Sequence, residues 1–433
     1  MTNNTLYQSV TLANGLRIVH RLTETPVMYC GFMVDCGTRD EVGLEDYGMA
    51  HFVEHVLFKG TATRDSWHIN NRMESVGGEL NAFTTKEETT FYAIGLNKDF
   101  ARACNLLCDL ICNPTVPQHE LEMEREVVID EIMSYRDTPS DLIFDEFENR
   151  LFTSSTDPHP SWCALGHNIL GNEDTVRTFD HEKCLHFIDE NYTPDRMVFF
   201  HQGTTPFDKV VKTIEKNFRC TRMPKQSWKR AEDDNRVNRY RTSLHSGNSA
   251  EQRPIVIHQD THQSHVLLGT PSYPVGHEYA AALALLCNIL GGPGMNSRLG
   301  LELREHRGLV YTVESNITNY TDAGYLGIYF GCDHHDVSRC LRLCHRQLER
   351  FQDELLSPRQ ISNAQKQLGG QLGVAMANME NNVIALAKNL LRLGRVETLE
   401  QTCERINNVT PELIQTVARE VFDKSLLKTV IIQ

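Results

Sequence analysis

Gly48-Met49-Ala50-His51-Phe52-Val53-Glu54-His55-Val56-Leu57 is the stretch from which the rest of the chain can be read. Two histidines stand four positions apart, and a glutamate directly precedes the second. On a helix, residues i and i+4 lie on one face, about 6 Å apart along the axis. His51 and His55 can therefore grip one small cation. Glu54, three positions past His51, falls near the same face, where a carboxylate can hold water rather than the cation. A histidine pair is equally compatible with a solvated helix face, and five-residue patterns arise by chance. The metal reading needs a third ligand elsewhere in the chain.

The length, 433 residues, suggests two to four domains. A hydrophobic content of 40% with 23% charged residues is ordinary for a globular protein. The net charge of −14 argues against a nucleic-acid surface and against anionic lipid. No run approaches the ~18 apolar residues of a membrane span. The opening Met1–Val10 has no basic region followed by an apolar core, so no secretory signal is expected, and its lack of Arg speaks against a transit peptide. Thirteen cysteines are present without tight spacing. Cys104, Cys108 and Cys112 recur every four residues in an apolar helical pattern, as do Cys340 and Cys344, and read as small hydrophobes on buried helix faces. Many unpaired thiols point to a reducing, cytoplasmic compartment.

Outward from His51, the chain predicts a strand Tyr7–Leu12, a turn at Ala13-Asn14-Gly15, a strand Leu16–His20 and a buried strand Val27–Asp35. An acidic loop to Asp46 leads into the histidine helix. A short helix over His68–Val76 is broken by Gly77-Gly78. Glu79–Thr85 and Thr89–Ile94 form a hairpin, followed by a helix over Asp99–Cys112. Pro117 opens a long helix from about Gln118 to Tyr135 that stops before Pro139. Glu124 and Glu131 lie on it seven positions apart, which places them within about 20° of one another around the axis. A further helix covers Asp141–Leu151.

From 221 to 264 the chain is polar and charged, with Lys225–Arg236 its most extreme part and a strand at Pro254–His258. Then the first half begins again. His265–Gly269 matches the Met28–Val34 strand, Ala280–Leu290 stands where the histidine helix stood, and Tyr325–Phe330 matches Thr90–Ile94. Asp336–Cys340 matches Asp99–Ala103, and Pro358 opens a long helix as Pro117 did. This is a two-fold internal repeat of α+β units. The second copy has no histidine pair and carries Gln371 near the place of Glu131. The fold expected is two homologous α/β-sandwich halves, each a mixed, mostly antiparallel sheet packed with helices. They cover residues 1–220 and 265–433 and are joined by a linker at 221–264.

His51-x-x-Glu54-His55 inverts the common zinc-peptidase motif. Together with Gly77-Gly78-Glu79-Leu80-Asn81-Ala82-Phe83-Thr84 and the pair Glu124 and Glu131, it resembles the pitrilysin/insulinase family of zinc metallopeptidases, the inverzincins. The chain is most similar to single-chain bacterial members and to the catalytic subunits of mitochondrial processing peptidases, and the resemblance covers nearly all of it. It implies one zinc ion held by His51, His55 and Glu131, with Glu54 as general base and Glu124 as a second carboxylate beside the site. A solvated helix charge is the alternative for Glu124.

The resemblance also implies an edge strand at Glu79–Thr84, where an extended peptide is added as a further strand against Asn81 and Ala82. Phe58 lines the pocket or belongs to the core. Arg304, on a helix ended by Gly308, and Tyr311, on the next strand, match the family's Arg/Tyr pair. That pair reaches toward the zinc half to hold substrate carbonyl oxygens, Tyr311 stabilising the developing oxyanion. A core tyrosine and a surface arginine would be the plain alternative. Gly291-Gly292-Pro293-Gly294 could cradle phosphate, but no Gly-Lys-Ser/Thr follows. The expected activity is zinc-dependent hydrolysis of peptides or unfolded segments by a homodimer. The alternatives are a processing subunit working with a different partner chain, and a non-catalytic subunit like those of respiratory complexes.

Overall fold

The computed structural model describes residues 7–41, 43–153, 164–223 and 253–433. The most polar part of the linker expected from the sequence, 224–252, lies outside the described residues. In chain order the first part comprises β1 (Tyr7–Thr11), β2 (Arg17–Leu22), β3 (Val27–Val34), α1 (Met49–Leu57), α2 (Ser66–Glu74), β4 (Glu79–Thr84) and β5 (Thr89–Leu96). There follow α3 (Phe100–Cys112), α4 (Gln118–Arg136), α5 (Pro139–Thr153), α6 (Glu173–Arg177), α7 (His181–Asn191), β6 (Met197–Gly203) and α8 (Phe207–Asn217). The second part comprises β7 (Ile255–Ile257), β8 (Ser264–Pro271), α9 (Ala280–Gly291), a π-helical turn (Gly300–Glu305), β9 (Val310–Asn319) and β10 (Gly324–Cys332). It ends with α10 (Val337–Asp353), α11 (Pro358–Ala377), α12 (Met379–Leu393), α13 (Leu399–Asn407), α14 (Pro411–Val421) and β11 (Lys428–Ile432).

Two sheets result. The first has the order β1-β2-β6-β3-β5-β4, the second β7-β11-β8-β10-β9. In the first, β2 and β6 run parallel and the other neighbours are antiparallel. In the second, β7 and β11 are the parallel pair. The series β2-β6-β3-β5-β4 thus recurs strand for strand in β7-β11-β8-β10-β9, parallel pair included. The internal repeat is therefore a repeat of topology, and the fold is two homologous α/β halves. The central strands are buried throughout because helices cover both faces: every residue of β6 and β8 is buried, the polar His201, Gln202, Ser264, His265 and Thr270 included.

The compact units do not follow chain order. Over their described residues, one unit takes Met1–Ser134, His167–Lys229 and Ala375–Glu397, and the other takes Tyr135–Gly166, Arg230–Val374 and Thr398–Gln433. The helices α5 and α12, at corresponding places in the two repeats, are exchanged. Ile143, Phe147, Leu151 and Phe152 of α5 pack on Leu267, Tyr325, Tyr329, Val430 and Ile432 of the second sheet. Val383, Leu386, Ala387, Leu390 and Leu391 of α12 pack on Val19, Met33, Tyr92, Val198 and Phe200 of the first. The opposite face of the second sheet is covered by α9, α10 and α14 through Leu286, Leu290, Leu343, Phe351, Val417 and Val421. As expected for buried hydrophobes, Cys104, Cys108, Cys340 and Cys344 are buried, whereas Cys112, the last residue of α3, is only partly so, and none of the described cysteines forms a disulfide.

Candidate metal centre

The site is built on α1, and α1 is fixed first at its N-terminus. A helix begins with amide N–H groups that lack partners and attract a negative charge. Here Glu41 supplies the partners. Its Oε2 accepts from Gly48 N at 3.1 Å and its Oε1 from Ala50 N at 2.9 Å. His167 Nε2 lies 2.7 Å from the same Oε2, and Tyr47 stacks on the His167 ring at 3.7 Å. Glu41 is 6% exposed. Burial pushes its pKa well above the carboxylate range, opposed by the two amides. Gly48 has φ +97°, and a Cβ there would come within 2.6 Å of the Leu170 carbonyl oxygen. The start of the helix is thus clamped against 167–171.

One turn further on, the His51 and His55 rings have centroids 4.6 Å apart. Glu131 arrives from α4: its Oε2 is 3.8 Å from His51 Nε2 and 3.5 Å from His55 Nε2. Three ligands about 2.0–2.2 Å from one tetrahedral zinc ion stand roughly 3.5 Å apart, so this donor set fits the ion. The three ligand atoms all lie within 4.8 Å of one another. Two imidazoles and one carboxylate also suit zinc chemically, and a three-residue set leaves room for water.

The electrostatics prepare the same atoms. Burial, with the neighbouring His55, lowers the His51 pKa to about 3, so its imidazole is neutral and can ligate. Burial also lowers that of His55, but the hydrogen bond to Glu124 and the charges of Glu54 and Glu131 outweigh it and raise the net value. Glu124 lies beside the ligands rather than among them. Its Oε1 is 2.8 Å from His55 Nδ1 and its Oε2 is 2.5 Å from Lys59 Nζ. With its proton on Nδ1, His55 presents the Nε2 lone pair to the metal position. Burial raises the Glu124 pKa, yet the bonds from His55 and Lys59 overcome it, and the group stays ionised.

Glu54 is 9% exposed and accepts a hydrogen bond from Thr84 Oγ1 at 2.5 Å. Burial raises its pKa, which makes it a stronger base. Asn81 and Ala82 pair with Tyr92 and Phe91 on β5, while β4 has no strand on its other side among the described residues. Phe58 caps α1 with its ring 6.0 Å from that of Phe91. Arg304 and Tyr311 belong to the other compact unit. Arg304 lies in the π-helical turn with Nε 2.9 Å from Glu305 Oε1, Gly308 follows with φ +60°, and Tyr311 on β9 is 89% exposed.

Several residues around the centre are not marked by any motif. Glu41 lies in a loop read only as acidic. No sequence pattern singles out His167 or Lys59, and Thr84 stands out only as the last residue of the edge strand. Lys86, Glu87 and Glu88 make a charged triplet at a hairpin turn, the usual signature of solvent exposure, yet they are 4%, 2% and 0% exposed. Of these residues only Thr84, which ends the Gly77–Thr84 stretch, has a signal in the sequence.

Comparison with known proteins gives a consistent result. The model of the insulinase family, peptidase family M16, matches residues 17–162, and that of the peptidase M16 inactive domain matches 178–368. An uncharacterized zinc protease of Mycobacterium tuberculosis H37Rv is 33% identical over 96% of this chain and 90% of its own length. An uncharacterized zinc protease of Bacillus subtilis is 30% identical over 95% of each chain. A protease from Helicobacter pylori superposes with a TM-score of 0.86 at 20% identity over 99% of both chains. A peptidase M16 inactive domain from Pseudomonas fluorescens gives 0.83 at 17% identity, over 98% of this chain and 97% of that one.

Proposed function

The chain belongs to the insulinase family of peptidases, M16, and from that premise we propose that it is a zinc-dependent endopeptidase of peptides or unfolded polypeptide segments. The observation that carries this is the convergence of His51 Nε2, His55 Nε2 and Glu131 Oε2 beside the buried Glu54 carboxylate. Zinc at that position supplies Lewis acidity toward a peptide carbonyl and acidifies a water. The protein's own groups do the rest. Neutral His51 and the Glu124-oriented His55 hold the ligand geometry. Glu54 takes a proton from water and returns it to the leaving amine. The open edge of β4 aligns an extended peptide by main-chain hydrogen bonds, with Asn81 and Ala82 at the contact and Phe58 beside it.

Arg304 and Tyr311 are assigned to substrate carbonyl oxygens, supported by the exposure of Tyr311 and by the family resemblance. The matched inactive-domain model covers 178–368 and none of the four zinc-site residues, so it does not favour a non-catalytic reading of the whole chain. A homodimer in a reducing compartment remains the proposal for its assembly and location. No helix among the described residues is long and apolar enough to cross a membrane.

The test compares wild type with Glu54→Gln on a pool of quenched peptides, with metal analysis of both. Wild type is expected to carry one zinc per chain and to cleave, and to lose cleavage when a chelator removes the metal. Glu54→Gln is expected to keep the zinc and lose at least about 100-fold in kcat. A wild type without stoichiometric zinc, or a Glu54→Gln variant that cleaves at the wild-type rate, ends the proposal. Native mass measurement of the purified chain separates the homodimer from a lone or mixed subunit.

A further inference from the structure

We infer that Thr84 is a positioning residue for Glu54, binding the orientation of the proton-accepting carboxylate to the strand that receives the peptide. The inference rests on the peptidase reading above and adds to it a residue with no assigned role.

The hydroxyl of Thr84 donates to Glu54 Oε2 at 2.5 Å, a short charge-assisted bond. Among the described residues it is the one hydrogen bond that Glu54 receives. A glutamate has three side-chain torsions, and a buried carboxylate without a partner has no preferred direction in which to point. Fixing Oε2 leaves Oε1 to face the water. Thr84 is also the last residue of β4, paired with Thr89. Thr89 Oγ1 in turn donates to the Cys36 carbonyl at 2.9 Å. One residue therefore ends the open edge strand and aims the base. A peptide laid along β4 would come into register with Glu54 through a single rigid link.

The rigidity comes from the turn that follows. Thr85 N donates to Glu88 O at 2.8 Å, Thr38 N donates to Thr85 O at 3.2 Å, and Arg39 N donates to Lys86 O at 2.8 Å. The three charged side chains of the turn are all paired. Lys86 Nζ donates to the His167 carbonyl. Glu87 meets Arg39 at 2.6 Å, and Glu88 meets Lys388 at 2.5 Å as well as Arg392. His167 is the residue that also bonds Glu41 at the start of α1. The turn and the metal-binding helix are thus tied to the same group, and Thr84 lies between them. A buried charged turn is costly unless every charge is met, and here each one is.

A merely structural hydroxyl would affect folding or metal binding. A positioning hydroxyl affects turnover. We expect Thr84→Val, nearly isosteric, to lower kcat by about 10- to 100-fold, less than the roughly 10²–10⁴-fold worth of the base itself. KM and zinc affinity are expected to stay within about threefold, and Thr84→Ser to restore kcat to within about threefold. Thr84→Ala serves if the valine variant does not fold. The second readout is crystallographic and independent of turnover: the Glu54 carboxylate should be ordered in wild type and Thr84→Ser, and rotated or disordered in Thr84→Val. A valine variant with wild-type kcat and an unmoved Glu54 overturns the inference, as does a loss of kcat that tracks a loss of zinc or is not rescued by serine. If wild type cleaves no peptide, the peptidase reading fails, and the position of Glu54 in the variants still decides the role of Thr84.

Discussion

Glu124→Gln separates a carboxylate that tunes the metal site from one that merely sits near it. In the native chain Glu124 is 6% exposed, with one oxygen 2.8 Å from His55 Nδ1 and the other 2.5 Å from Lys59 Nζ. Glutamine has one acceptor oxygen and one NH2 group in that space. If its oxygen faces His55, the NH2 group is pressed against an ammonium and Lys59 loses its counter-charge. If its oxygen faces Lys59, the NH2 group faces Nδ1, which must then give up its proton. The proton moves to Nε2, the atom that should face the metal. Either arrangement forfeits one charge-assisted bond. Loss of such an outer partner costs about 10- to 100-fold in metal affinity, or about 1.4–2.8 kcal/mol. The assay is competition for zinc against a coloured chelator at constant pH. Glu126→Gln on the same helix, where the native carboxylate is exposed and 3.3 Å from Arg177, is the control and should bind within about twofold of wild type. Zinc binding by Glu124→Gln within about threefold of wild type would refute the reasoning, and so would an equal loss in Glu126→Gln.

Two further outcomes follow from buried charge. His20 and His201 face each other in the first unit with Nδ1 atoms 2.9 Å apart, and burial lowers their pKa values to about 4 and about 3. Both regain ordinary values near 6.5 on unfolding, so the unfolded chain binds more protons below about pH 6.5. The stability they permit is complete above that pH and is lost as pH falls toward about 4, by up to about 1.4 kcal/mol per pH unit for each proton. Urea unfolding between about pH 7 and about pH 5 should show this slope, and a His20→Leu/His201→Leu double variant should flatten it; equal slopes would contradict the account. Arg392→Met removes the guanidinium that meets Glu88 and lies 3.6 Å from Glu87. With Glu88 fully buried, the expected cost is about 3–5 kcal/mol, read as a lowered urea midpoint. A shift worth less than about 1 kcal/mol would show that Lys388 alone suffices.

The parts of the molecule written in local pattern were legible. Helix α1 with its histidine pair, α4 begun just after Pro117 and the hairpin β4–β5 follow from periodicity and breakers within about twenty residues, and the repeat shows in the succession of elements, whereas the strand order and the parallel pairs do not show in the sequence. The approach of Glu131 to His55, 3.5 Å between Oε2 and Nε2, does not, because nothing local brings α4 onto α1; only the family resemblance implies it. The Lys86-Glu87-Glu88 turn was illegible for a related reason. Charges next to a turn belong in water unless partners arrive from elsewhere, and Arg39, Lys388 and Arg392 are distant in sequence. The exchange of α5 and α12 was equally hidden. An amphipathic stripe says that a helix buries one face, not which of two similar sheets receives it.

That exchange has a consequence for biosynthesis. All six strands of the first sheet have been synthesised once β6 is made, but the helix that covers Val19, Met33, Val198 and Phe200 is encoded only at Met379–Leu393. At about 5–20 residues per second, the nascent chain holds that apolar face uncovered for roughly ten to forty seconds. The arginine and lysine that neutralise Glu88 arrive on the same late helix. The unit bearing the candidate metal ligands is therefore begun first and finished almost last. A chain that ends before Met379 would carry His51, Glu54, His55 and Glu131 in a unit whose sheet still lacks one of its covering helices.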